Sequence, residues 1–133
     1  MSRRSERRAA AFLLYQRDLM DDPFDDLYVA YERDNGEPVS DFTRRSAEAV
    51  WSDRGALDRS IDDAAESWTS ERMAVLERNI LRLAVWEIRE GEVPAAVAID
   101  EAVSLAKRYA SPEAATLVNG ILGRIARSEG VGT

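Results

Sequence analysis

The sequence contains neither cysteine nor histidine in 133 residues. Without cysteine there is no disulfide framework and no thiolate; without histidine there is no imidazole base. The usual zinc ligand sets vanish with both. No stretch alternates apolar and polar residues long enough to read as a strand, so no glycine-rich phosphate loop follows one. Paired carboxylates do occur, at Asp21/Asp22, Asp25/Asp26 and Asp62/Asp63. Adjacent residues on a helix diverge by about 100° and do not converge on a substrate. The expectation is therefore not an enzyme, with no catalytic residue, no metal site and no cofactor. Long apolar runs are missing too, which argues against a membrane span. The basic N-terminus passes into an ordinary amphipathic helix, not a signal-peptide core. A cytoplasmic protein is expected.

What is present is helical periodicity with clear punctuation. The pattern predicts seven helices over about residues 3–20, 24–34, 40–53, 56–68, 71–90, 95–109 and 112–127. Asp21-Asp22-Pro23 and Asn35-Gly36-Glu37-Pro38 break the chain, and Ser40 follows as an N-cap. Gly55 is a weaker separator, and Thr69 or Ser70 is the expected cap of the fifth helix. That helix, with Ile80, Leu81, Leu83, Ala84, Val85, Trp86 and Ile88, is apolar nearly all round, as a central helix should be. Ser111-Pro112-Glu113 then supplies an N-cap hydroxyl, a proline at the first helical position and a first-turn carboxylate.

The net charge of −7 argues against non-specific nucleic-acid binding, yet it is unevenly spread. Residues 1–17 hold Arg3, Arg4, Arg7, Arg8 and Arg17 against Glu6 alone. A local cationic patch on an otherwise acidic protein is the result. On the first helix, Ala9, Phe12, Leu13, Leu19 and Met20 are expected to face the core. Arg3, Arg4, Arg7 and Arg8 fall opposite, with Tyr15 between the directions of Arg4 and Arg8. Guanidinium groups pair with phosphates and an aromatic face stacks an unpaired base. A solvated charged face is the competing explanation.

The wording ILRLAVWEI, VP, AIDEAVSLAKRY and LVNGIL resembles the C-terminal half of the bacterial transcription antitermination factor NusB family. RRSERRAAAFLLYQ is similar to that family's arginine-rich opening helix, and residues 21–67 match in helical pattern only. The resemblance implies an all-α, seven-helix NusB-like fold of two packed helical subdomains, about 1–68 and 69–133, dividing near Trp68. It implies a partner RNA, the single-stranded boxA element of ribosomal RNA leaders, and a partner protein, the NusE-type small-subunit ribosomal protein. Beyond these lies the transcription elongation complex. Some family members self-associate, which leaves a homodimer open; no membrane is implied.

The resemblance also extends the candidate RNA-binding set to Arg3, Arg4, Arg7, Arg8, Tyr15, Glu77, Glu113 and Leu117. Leu117 stands where the family often has phenylalanine and cannot stack as an aromatic does. Glu113 matches a family acid near the RNA, or stabilises a helix N-terminus. Glu77 is either an RNA-side acid or a structural one, and Glu87 is expected in an ion pair between helices. Asn119 and Gly120 read as architectural: an amide bonded to a neighbouring helix end, and a glycine admitting another backbone. Lys107, with Asp100, Glu101, Ser104 and Arg108, makes a solvated face or a protein-binding surface. Two other functions compete: a helical scaffold without RNA affinity, and the non-catalytic NusB-like domain of an RNA methyltransferase. Against the latter, no methyltransferase portion follows in this sequence.

Overall fold

The computed structural model describes residues 2–65 and 73–130, in which seven helices and no strand occur. They are α1 (Arg3–Met20), α2 (Phe24–Asn35), α3 (Asp41–Ser52), α4 (Arg54–Ala65), α5 (Val75–Glu90), α6 (Ala95–Tyr109) and α7 (Pro112–Ser128). Serines cap three of them, Ser40 and Ser111 where the sequence suggested. Ser2 Oγ accepts from Ser5 N at 3.1 Å, Ser40 Oγ from Thr43 N at 3.2 Å and Ser111 Oγ from Ala114 N at 3.0 Å. Each satisfies one of the orphan N–H groups of a first turn. Gly36 and Gly91 close α2 and α5 in the left-handed region, at φ 71° and 74°, which glycine enters without steric cost.

Two boundaries differ from expectation. Helix α5 begins at Val75, not near residue 71, because Met73 buries its side chain and Ala74 is extended. The expected caps Thr69 and Ser70, and Trp68 at the expected division, lie outside the described residues. The break between α3 and α4 falls at Asp53, and Gly55 sits within the first turn of α4.

Helix α5 is the centre. It packs on α1, α3, α4, α6 and α7, while α6 and α7 share the most extensive helix–helix contact. Ile80, Leu81, Val85 and Ile88 meet Leu14 of α1, Val50 of α3, Leu57 and Ile61 of α4, and Val118 and Leu122 of α7 in one core. Burying each of these large side chains contributes about 1.5–3 kcal/mol. A satellite cluster of Leu13, Leu27, Tyr28 and Val39 seats α2. Helix α7 buries Ala114, Ala115, Val118, Ile121, Leu122, Ile125 and Ala126.

Because α1 lies between α3 and α5, its buried face is wider than an apolar stripe. It takes in Arg7, Ala10, Ala11 and Leu14, whereas Leu19 and Met20, expected in the core, are more than half exposed. Three elements are tied near its far end. Asp18 accepts from Arg78 Nη2 at 2.7 Å, Asn79 Nδ2 at 3.0 Å and Arg82 Nη1 at 3.0 Å. Arg82 also donates to Asp58 of α4 at 2.6 and 2.7 Å. No buried side-chain polar atom is left unpartnered among the described residues, as a buried network requires.

Candidate nucleic-acid interface

The four N-terminal arginines have four different fates. Arg7 is buried, at 6% exposure, and its guanidinium grips both oxygens of Glu87 at 2.7–2.9 Å. Its expected position among phosphate-facing arginines is corrected: a charge on the α1–α5 face can be buried only with a paired carboxylate. Glu87 thereby makes the interhelical ion pair expected of it. Arg4 is exposed and bidentate to Glu101 of α6 at 3.1–3.3 Å. Arg3 stacks 3.9 Å above the Phe42 ring and lies 3.8 Å from Glu6. Arg8, half-buried, has no ion pair among the described residues.

Tyr15 stands on the rim of a groove running between α1, the start of α5 and the α6–α7 junction. Phe12, Tyr15, Leu19, Ala74, Glu77, Tyr109 and Ser111 line its first stretch, of about 540 Å³. Ala74, Glu77 and Ser111 carry it into a second stretch of similar volume, walled by Met73, Glu113 and Leu117. Tyr15, Glu77, Glu113 and Leu117 are thus brought onto one continuous surface from three helices. Glu77 is half-buried and Glu113 exposed; neither has an ion pair among the described residues.

Two aromatic residues of this groove escaped sequence reasoning as surface groups. Phe12, assigned to the core, is half-buried and packs edge-on against Tyr109 at 5.0 Å and Tyr15 at 6.5 Å. Tyr109 closes α6, with Arg108 5.3 Å over its ring. The signal that could have found it was its place in the last turn of α6, directly before the Ser111-Pro112 break. Lys107, Arg108, Asp100 and Ser104 are exposed, while Glu101 is drawn down to Arg4.

The architectural expectations for α7 fail. A Cβ on Gly120 would meet nothing within 4 Å. Asn119 is exposed and has no hydrogen bond among the described residues. No metal-holding group of acids occurs among the described residues, and no described helix is long and apolar enough to cross a membrane.

Residues 4–127 match the NusB family. The chain belongs to the NusB family. It is 39% identical over 123 residues to the transcription antitermination protein NusB of Rubrobacter xylanophilus, covering 92% of this chain and 88% of that protein. The Symbiobacterium thermophilum protein of the same name is 39% identical over 138 residues, covering 96% and 90%. Among solved structures, T. maritima NusB superposes with a TM-score of 0.84 at 32% identity, covering 96% of this chain and 92% of that one. A NusB–NusE complex with double-stranded RNA shares the fold, with a TM-score of 0.82, 24% identity and coverage of 96% and 99%. The seven-helix NusB fold expected from the sequence is therefore the fold observed. As a NusB-family member, the chain is a non-catalytic transcription antitermination factor.

Proposed function

We propose that this NusB-family chain binds the boxA element of ribosomal RNA leader transcripts as a single strand, together with a NusE-type ribosomal protein. It would thereby support processive rRNA transcription by the elongation complex in the cytoplasm. The observation that carries the reading is the continuous groove from Tyr15 through Glu77 to Glu113 and Leu117, with Arg8 in the adjoining hollow beyond Phe12 and Tyr109 and Arg3 and Arg4 further along the same helix. Tyr15 and Tyr109 offer rings to unstacked bases, worth roughly 1–3 kcal/mol per base. Glu77 and Glu113 accept hydrogen bonds from base amino groups. The arginines meet the backbone, while Arg7 supports the site from inside. An acidic remainder suits a basic ribosomal partner, and such complementarity favours fast encounter and correct pairing.

The experiment is binding of boxA RNA and a scrambled control across a salt series, with and without the NusE-type protein. The expected result is a preference for boxA that rises with the partner and falls in Tyr15→Ala and Arg8→Ala proteins. No preference in either condition, from a folded protein, overturns the reading. The scaffold alternative draws on the ion pairs that already occupy Arg4 and Arg7; it predicts partner binding that is indifferent to RNA.

A further inference from the structure

The groove beside Tyr15 does not end at the Phe12–Tyr109 ring pair. The same two rings wall a further hollow of about 450 Å³ on the α2 side, completed by Ser5, Arg8, Tyr31, Asn35 and Glu37. Tyr31, on the α2 wall of the hollow, packs against the satellite cluster of Leu13, Leu27, Tyr28 and Val39. Its volume falls within the range of sites that hold small organic groups.

The chemistry of this lining is not that of an ordinary solvated cleft. Arg8 is the α1 arginine whose guanidinium has no carboxylate partner among the described residues, and it is half-buried here. Tyr31 is half-buried, and burial followed by the charge of Glu37 pushes its phenol up while Arg8 pulls it down. Asn35 Nδ2 donates to the Tyr31 carbonyl at 2.8 Å, which leaves its Oδ1 as an acceptor. An unpaired cation, aromatic rings and side-chain acceptors together match the phosphate, the face and the edge of one nucleotide.

We propose that this hollow is a further nucleotide subsite, which extends the RNA track across α1 from the Tyr15 groove to the end of α2. Arg8 takes the bridging phosphate, Tyr31 and Tyr109 flank the base, and Asn35 and Glu37 accept from its edge. The proposal rests on the single-stranded RNA reading above. It adds residues of α2 that neither the sequence motifs nor the opening helix brought into the site.

The test begins with the shortest boxA RNA that keeps full dependence on Tyr15. That RNA is then lengthened one nucleotide at a time on its 5′ or its 3′ side, at fixed salt. Lengthening on one side is expected to raise affinity about tenfold, the scale of one stacked base. Tyr31→Ala should abolish that gain and Asn35→Ala should cut it about threefold, both leaving the short RNA's affinity unchanged. Retained short-RNA binding shows that a variant is folded, and exposed Asn35 decides the matter if Tyr31→Ala is not. No gain from either extension, or a gain kept in both variants, overturns the subsite while the RNA reading stands. Failure of the wild-type protein to bind the short RNA overturns both.

Discussion

Arg7 and Glu87, 80 residues apart in the chain, form a fully engaged ion pair at 2.7–2.9 Å in the interface between α1 and α5. The geometry repays part of the desolvation of two charges, but removing one partner strands the other. Arg7→Met or Glu87→Leu alone should cost about 3–5 kcal/mol in urea unfolding, whereas the double variant should recover most of that loss. If each single change costs under about 1 kcal/mol, the pair is not the clasp between these helices.

Asp18 gives the fold an acid-sensitive joint. Burial raises its pKa, but hydrogen bonds from Arg78 and Asn79 and the charges of Arg78 and Arg82 outweigh it, so the carboxyl is held below the usual range. A depressed folded-state value means stability that is fully present above the unfolded value near 3.9 and lost as pH falls through and below it. Asp18→Asn should therefore be less stable than wild type at pH 7. Their difference should shrink in denaturation series taken from about pH 5 down to pH 3. A difference that does not change with pH would remove the ionised carboxylate from the explanation.

The helices, and the caps at Ser40 and Ser111, were legible because periodicity, serine-initiated turns and the Asn35-Gly36 break act locally. What was not legible depended on how many sides of a helix are covered. Arg7 reads as polar and so as outward, and only the packing of α1 against α5 reveals that Glu87 awaits it. Leu19 and Met20 read as core for the same reason, yet the core has ended by that turn. Tyr15 entered the reading through its direction on the first helix, and Glu77, Glu113 and Leu117 through family likeness. Their convergence on one groove, and the part played by Phe12 and Tyr109, belongs to the tertiary arrangement of α1, α5 and the α6–α7 junction.

Gly120 lies within α7 with open space around it. Glycine in a helix interior costs about 1 kcal/mol relative to alanine. Gly120→Ala should accordingly raise stability by about 0.5–1 kcal/mol in chemical denaturation. An unchanged or lower stability would remove intrinsic helix propensity from the account of this position.

Leu117 is half-buried at the end of the groove that Glu77 and Glu113 share. A phenylalanine there adds a ring face to the groove in which the RNA is proposed to lie. Leu117→Phe should tighten boxA RNA roughly fivefold, within the range of one base–aromatic stack. The gain should appear as slower dissociation in surface-binding kinetics. Equal tightening of boxA and scrambled RNA is compatible with stacking, which tolerates sequence. No tightening at all would place the RNA elsewhere.

Arg4 is the cation with a choice. Its bidentate contact with Glu101 crosses from α1 to α6 on an exposed face, where an ion pair contributes little to stability. On the proposed reading, an RNA phosphate competes with the Glu101 carboxylate for the same guanidinium. Glu101→Gln removes the competitor and should leave the melting temperature nearly unchanged. It should raise RNA affinity at low salt and steepen the slope of log K against log salt by about 0.7, as one added phosphate contact on a single strand does. Arg4→Ala in the Glu101→Gln background should return the slope to its wild-type value. Arg8→Ala in the wild-type background should flatten it by about the same amount, because Arg8 has no carboxylate to leave. Slopes that ignore Glu101 would assign Arg4 to the α1–α6 contact alone and leave Arg8 as the arginine that meets the RNA backbone.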